Sequence, residues 1–262
     1  MLISLLFTFL ASSCSLLKSK TPADIVDNFY KHTSKARFDL VDKTGKYVVI
    51  REGGYRNKDN RYYTKSSIYP ENDDRQKLLE ESVAISNPGA LGKKVKVFRP
   101  YASRYSVWFE GKKYTTEMYL KEKEKGLQVK MTSPESQWSG TKLIKLPQGT
   151  GVYCFLAQLI ECVRMTGFLQ IASKNDTGVM NFHLIWEGYP YYSEQYANLV
   201  SEPISEAKLK YDGMNSRDEY RFTLDVAGQK IFYFVDKEYN FLKRFWVSQG
   251  LSQTRSTFKE KE

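Results

Sequence analysis

Histidine and cysteine, which often perform acid–base, nucleophilic or metal chemistry near neutral pH, are scarce in this chain of 262 residues. The sequence has two histidines, His32 and His183, and three cysteines. His183 lies in a segment of alternating apolar residues, with neither a second histidine nor a carboxylate at the spacing of metal ligands. We therefore expect His183 to be a surface histidine or a hydrogen-bonded core histidine, and we expect no metal site.

Two of the cysteines, Cys154 and Cys162, belong to the most apolar internal segment, GVYCFLAQLIECVRMT at residues 151–166. Polar side chains would form only a narrow stripe on a helix built from this segment, so the helix is expected to be buried on nearly all sides. At a rise of about 1.5 Å per residue, eight positions separate the two cysteines by about 12 Å, which exceeds the reach of a disulfide. An intact helix therefore predicts free thiols, whereas a broken helix would let the two cysteines pair.

The chain has 30 acidic residues, but no motif selects two of them as a pair for glycosidic or other acid–base catalysis. The sequence also lacks a glycine-rich phosphate loop, a GxSxG nucleophile elbow, an HExxH motif and a CxxC pair. We therefore predict that the protein is not an enzyme and that it uses no cofactor; an unrecognised hydrolase is the alternative that stays open.

Cys14 follows a short apolar run, LISLLFTFLASS at residues 2–13. A membrane-spanning helix needs about 20 residues, so the run is too short for one, but its length and its small final residues are typical of an export signal. The stretch LASSC, which ends at Cys14, resembles the lipobox of bacterial lipoproteins. The resemblance implies that residues 1–13 are removed and that acyl chains such as palmitate on Cys14 bind the membrane. With Ser15 after the cysteine, it also implies an outer-membrane location facing the periplasm. The alternatives are an ordinary secretion signal and a short hydrophobic anchor.

Short segments of alternating apolar and polar residues, separated by turns, dominate the chain from about residue 94 onward. This alternation is typical of an antiparallel meander with one buried face. We therefore predict an α+β, predominantly antiparallel fold, in which the apolar helix at about 151–166 packs on the concave face of a curved sheet or open half-barrel. The expected organisation is a tether at 14–20, one domain at 21–250, a polar tail at 251–262, and further helices at 22–34 and 71–86.

A lipidated cysteine, a curved antiparallel sheet and an apolar helix facing it are together similar to the lipoprotein-localisation factors and related half-barrel carriers of bacteria. In those families an open half-barrel covered by helices holds acyl chains. The resemblance implies a non-catalytic envelope lipoprotein that binds a hydrophobic or amphiphilic ligand between sheet and helix; a dry, closed core is the alternative. The candidate lining residues are Val107, Phe109, Met118, Leu120, Phe155, Leu159, Phe222, Leu224, Phe232 and Phe234.

The formal net charge of +10 predicts attraction to polyanions, which in a bacterial envelope are lipid head groups and anionic glycans. Nucleic acid is not an expected partner, because no nucleic-acid-reading element is recognisable. An aromatic cluster in the segment WEGYPYYSEQY could contact a lipid or a sugar ring, or it could pack over the sheet as part of a hairpin. A second function class therefore stays open, an envelope interaction protein that holds a partner with a basic, tyrosine-rich surface. The cluster consists of Trp186, Tyr189, Tyr191, Tyr192 and Tyr196.

Overall fold

The computed structural model describes residues 34–55, 60–72, 74–93, 95–121, 124–146, 151–191 and 202–257. The expected signal segment, the tether and nearly all of the expected helix at 22–34 lie outside these residues.

The described residues form one sheet of fifteen strands, and the fold is predominantly antiparallel as predicted. The first eight strands are β1 Ser34–Val41, β2 Lys46–Tyr55, β3 Tyr62–Pro70, β4 Glu80–Leu91, β5 Val95–Phe109, β6 Lys112–Lys121, β7 Gly126–Thr132 and β8 Gly140–Lys145. The other seven are β9 Tyr153–Phe155, β10 Val179–Ile185, β11 Ile204–Met214, β12 Tyr220–Val226, β13 Gln229–Val235, β14 Phe241–Trp246 and β15 Leu251–Ser256.

The sheet consists of two meanders, which are joined where the first strand of the chain, β1, pairs with the last strand, β15. Strands β1 to β8 run in sequence to one edge, and β10 to β15 return from the other edge until β15 pairs with β1. Strand β9 forms that second edge and pairs in parallel with β10. The chain therefore crosses from one edge of the sheet to the other between β8 and β9.

Strands β11 and β12 of the second meander follow directly from their alternating sequence. In β12, Phe222, Leu224 and Val226 are buried, while the intervening residues are partly exposed. A two-residue turn then leads into β13, with Ala227 and Gly228 both at positive φ, as tight hairpins with the right-handed strand twist require. The predicted strands in this part of the chain are confirmed.

The sheet is curved and unclosed, and its two ends approach one another. Phe155 on β9 and Ile185 on β10 pack in one buried cluster with Met118 on β6 and with Leu127 and Val129 on β7. The curvature therefore brings strands that are distant in the hydrogen-bonded order into direct side-chain contact.

Two short helices lie against the sheet, α1 Leu159–Met165 and α2 Phe168–Lys174. Gly167 separates them with a φ of 80°, a left-handed conformation that glycine adopts without steric cost. In α1, Leu159, Ile160 and Val163 are buried in the main core, which confirms the expectation of an apolar helix inside the curved sheet. No helix in the described part of the chain has the length and apolar character needed to cross a membrane.

The expected helix over 151–166 begins later than predicted. Residues 153–155 form strand β9, and a single 3-10 turn at Leu156–Gln158 leads into α1. This change of direction brings the Cα atoms of Cys154 and Cys162 to 5.8 Å, and the two residues form a disulfide. The broken helix therefore lets the two cysteines pair, and the free thiols expected from one continuous helix do not occur.

Two other segments are strands where the sequence suggested something else. The region expected to be a helix at 71–86 contains the first half of β4, in which Val83, Ala84 and Ile85 are all buried. The expected polar tail from 251 is strand β15 as far as Ser256, with Leu251 and Gln253 buried between β1 and β14. In both cases pairing with two neighbouring strands outweighs a weak local pattern.

Candidate ligand-binding site

An apolar cavity of about 300 Å³, called the seam pocket below, lies where the two ends of the sheet meet. Its walls come from the end of β4 and from β5, β6 and β7 on one side, and from β9 and β10 on the other. The lining residues are Leu91, Val97, Phe98, Arg99, Pro100, Leu120, Leu127, Leu146, Gly151, Tyr153 and Ile185.

The deep walls of the seam pocket are fixed by side chains that are almost fully buried. Val97 and Phe98 on β5 are 2% and 3% exposed, while Leu127 and Ile185 belong to the cluster that joins the two ends of the sheet. Leu120 is only partly buried, so it lies between this interior and the surface. The pocket is therefore a gap in a packed apolar contact, with walls that the core holds in place.

Arg99 is a cationic residue in the otherwise largely apolar lining of the seam pocket. Arg99 is exposed, and its guanidinium donates a hydrogen bond to the backbone oxygen of Ala90 at 3.1 Å. Small-molecule sites typically combine apolar walls with a few placed polar groups, in volumes of roughly 300–1,000 Å³. The pocket is at the small end of that range and suits an apolar chain with an anionic end beside Arg99.

A second interior space, called the polar cavity below, has a volume of about 60 Å³ and lies between the start of α1 and the sheet. Arg51 on β2 reaches the carboxylate of Glu161 at 2.7 Å and also donates a hydrogen bond to the backbone oxygen of Ala157 at 3.0 Å. Burial alone would raise the pKa of Glu161, but the charge and hydrogen bond of Arg51 hold that pKa below its usual range. This ion pair ties α1 to the sheet.

Glu187 lies in the wall of the polar cavity and is 1% exposed. Its carboxylate accepts hydrogen bonds from the backbone N–H groups of Leu156 and Ala157, at 3.1 and 2.9 Å, and from the hydroxyl of Ser82 at 3.2 Å. Burial raises the pKa of Glu187 to about 7 in spite of these donors. The side chain thus fixes the 3-10 turn that precedes α1.

Two polar residues of the expected helix, Gln158 and Glu161, have side chains that face the sheet. Gln158 is fully buried, and its amide donates to the backbone oxygen of Ala84 at 2.7 Å and accepts from the hydroxyl of Ser86 at 2.7 Å. Together with Glu161 and Glu187, it satisfies backbone and side-chain groups that would otherwise be costly to bury. The polar cavity is thus built mainly as a connection between helix and sheet.

The residues expected to line a ligand cavity are distributed over several places. Leu120 lines the seam pocket and Leu159 lines the polar cavity. Phe109 lines a separate surface cleft beside Tyr114, Trp138 and Tyr191. The others on the concave side lie in the packed core, namely Val107, Met118, Phe155, Phe222 and Leu224.

Phe232 and Phe234 do not belong to the concave side. Their neighbours Ile231, Tyr233 and Val235 are the buried residues of β13, and successive side chains of a strand point to opposite faces. Phe234 instead contacts Phe245, with ring centroids 5.8 Å apart. The expectation was wrong for these two residues because β13 carries apolar side chains on both faces.

The expected surface aromatic cluster is mostly interior. Trp186 is 1% exposed and stacks on Trp246, and Tyr191 is 1% exposed and donates its hydroxyl proton to the backbone oxygen of Trp138 at 2.9 Å. Tyr189 is partly buried against the core. The rings thus pack over the sheet, and the surface assignment was wrong for Trp186 and Tyr191. Tyr192 and Tyr196 lie outside the described residues.

His183 stacks on Tyr153 with ring centroids 4.7 Å apart and is partly buried. Within the described residues, no group of three or more His, Cys, Asp or Glu side chains could hold a metal ion.

No protein family model, no curated protein and no solved structure matches this chain. Its function must therefore be inferred from its own geometry.

Sequence reasoning missed several residues that matter for these sites. The alternation along β7 accounts for the burial of Leu127, but its contact with Ile185 depends on how far the sheet curves. Arg51 pairs with Glu161, which lies 110 positions later in the chain. Glu187 accepts a hydrogen bond from Leu156, which lies 31 positions earlier. One signal was present in the sequence: Glu187 directly follows the apolar stretch LIW, where a carboxylate is unusual.

Proposed function

We propose that this protein is a non-catalytic binding protein that holds one hydrophobic or amphiphilic ligand in the seam pocket. The observation that carries the proposal is an apolar cavity of about 300 Å³ with walls fixed by buried side chains. A closely packed protein core ordinarily contains few voids larger than a water molecule, so a cavity of this size is unusual for a core that binds nothing.

The ligand is an amphiphile with an anionic head and a single apolar chain. Apolar walls favour the chain by roughly 25 cal/mol for each Å² of surface removed from water. Arg99 offers a guanidinium to the head, and guanidinium groups bind carboxylates and phosphates through two parallel hydrogen bonds. The net charge of +10 attracts such ligands from a distance.

The protein acts, in this proposal, as a lipoprotein of the bacterial envelope, held to the outer membrane by acyl chains on Cys14 and facing the periplasm. Two or more acyl chains give a stable anchor, since each buried CH₂ contributes about 0.8 kcal/mol. The disulfide between Cys154 and Cys162 supports an oxidising compartment, where such bonds form and persist.

An interaction protein with a basic, aromatic surface is the weaker of the two function classes. Burial of Trp186 and Tyr191 removes the centre of the proposed aromatic surface. That function is then supported by the net charge alone, whereas the ligand-binding function has a cavity of suitable chemistry.

The test is native mass spectrometry of the full chain carrying Cys14→Ser, which prevents acylation, after incubation with dodecanoate. We expect a 1:1 complex that Leu120→Glu weakens at least ten-fold, because the new carboxylate lies in the apolar wall and repels the head group. Leu143→Glu places the same charge at an exposed position of β8 and serves as the matched control. A bare polypeptide mass at all dodecanoate concentrations, or equal loss in both variants, would contradict the proposal.

A further inference from the structure

A third cavity, of about 210 Å³, opens where the C-terminal end of α1 meets β1, β2, β14 and β15. We call it the arginine pocket and define it by Arg51, Glu161, Arg164, Asn240, Phe241 and Arg255. It shares no lining residue with the seam pocket, and it shares Arg51 and Phe241 with the polar cavity.

The arginine pocket carries an excess of positive charge. Arg51 is neutralised by Glu161, and Lys35, which also lines the pocket, is neutralised by Glu52 at 3.1 Å. Arg164 and Arg255 form no ion pair with any described residue. The hydrogen bond of Arg164 is to the neutral amide of Asn240, at 3.4 Å. Two guanidinium groups are therefore left to attract an anion.

The two guanidinium groups reach the pocket from different elements. Arg164 lies in the last turn of α1. Arg255 on β15 is the cross-strand partner of Phe38 on β1, and cross-strand partners lie on the same face of a sheet. Since Phe38 is buried in the main core, Arg255 is on the concave side, and the pocket lies between it and α1.

The remaining walls suit a ring that is apolar on its faces and polar at its edge. Phe38 and Phe241 form a ring pair with centroids 5.0 Å apart, and both line the pocket. Aromatic surfaces pack against the apolar faces of sugar rings. Ser34 and Asn240, also in the walls, provide hydrogen-bonding groups for hydroxyls.

We propose that the arginine pocket is a binding site for an acidic monosaccharide, whose anionic group is held by Arg164 and Arg255 while the ring packs against the partly exposed Phe241. The inference is independent of the proposed function, because the two sites have no residue in common. Together with the seam pocket of the proposed function, it gives the protein two ligand sites of different chemistry on one sheet.

The test is an NMR titration of the full chain carrying Cys14→Ser with three probes of similar size: glucuronate, glucose 6-phosphate and glucose. We expect saturable binding of at least one of the two anions and none of glucose, because charge-assisted hydrogen bonds supply the selectivity. The anion that binds more tightly identifies whether the natural group is a carboxylate or a phosphate.

The variants Arg164→Gln and Arg255→Gln are each expected to weaken anion binding about ten-fold or more, as the loss of a charged hydrogen bond does. Arg255 is exposed, so Arg255→Gln should leave the fold intact and still tests the pocket if Arg164→Gln disturbs α1. Lys142→Gln, at an exposed position of β8, removes the same charge far along the sheet and should leave binding unchanged. No saturable binding of either anion, equal binding of glucose, or equal weakening by Lys142→Gln would overturn the proposal.

Discussion

Glu187 combines almost complete burial with a structural task. Its carboxylate accepts three hydrogen bonds where the chain turns from β9 into α1, and burial still raises its pKa to about 7 from 4.5. The folded state therefore holds a proton more tightly than the unfolded state. The stability that this protonation provides is fully present below about pH 4.5 and is lost as the pH rises through 7.

Glu187→Gln should remove this pH dependence, because the amide does not titrate. Between pH 4.5 and pH 8 the original protein loses the stability that protonated Glu187 provides, whereas the variant does not. The difference in the free energy of unfolding, variant minus original, should therefore rise by roughly 3 kcal/mol over this range, because each pKa unit corresponds to about 1.36 kcal/mol. Urea unfolding at four pH values across this range measures the change. Glu206→Gln, at an exposed position of β11, is the control, and an equal change in that variant would refute the assignment to Glu187.

Arg51 and Glu161 form a largely buried pair, with side chains 18% and 10% exposed. Removal of one partner leaves the other charge buried and uncompensated, so Arg51→Met should lower the free energy of unfolding by about 3–5 kcal/mol. The double variant Arg51→Met/Glu161→Met should recover most of that loss. Denaturant unfolding of the single and double variants provides the measurement, and a double variant no more stable than Arg51→Met would contradict the expected coupling.

At the scale of elements, the disulfide connects strand β9 to helix α1 across the 3-10 turn. It restricts the unfolded chain around the segment that fills the concave side, and such bonds typically contribute about 2–4 kcal/mol. The paired variant Cys154→Ala/Cys162→Ala should lose stability of this order.

Thermal unfolding of the original chain and of the paired variant measures this contribution. The paired variant should melt at a lower temperature, and reductant should leave its melting temperature unchanged. Equal melting temperatures of the two proteins without reductant would show that the bond contributes nothing to stability.

The elements also show where sequence reasoning succeeded. Strands β11 and β12 were predictable because each alternates apolar and polar residues and ends in a turn, as at Ala227 and Gly228. Strand β4 was not, because its buried run from Ser82 to Ser86 has no alternation and is preceded by charged residues that also suit a helix. A strand buried on both faces looks locally like a buried helix, and only its pairing with β3 and β5 distinguishes the two.

At the scale of the whole molecule, the seam pocket exists because the sheet curves until β9 and β10 contact β6 and β7. A ligand in the pocket would contact both ends of the sheet and would bind the folded state alone. Dodecanoate at one hundred times its Kd should therefore raise the free energy of unfolding by about 2.7 kcal/mol.

Hydrogen exchange in the presence of dodecanoate should show which strands the ligand stabilises, because their backbone amides should exchange more slowly. We expect slower exchange in β5 and β9 together, and no gain in the Leu120→Glu variant. Protection confined to one end of the sheet would contradict a ligand that bridges the two.

The sequence by itself determined the antiparallel fold and the apolar segment before Met165, because both depend on local composition and periodicity; the export signal at residues 2–13 stays a prediction. Tertiary structure alone decided that Cys154 and Cys162 pair and that Phe234 faces away from the core. It also decided that Leu127 meets Ile185 and that Arg255 lies opposite α1. The physical reason is that strand alternation specifies two faces, whereas the curvature of the paired sheet decides which face is concave and which distant strands meet across it.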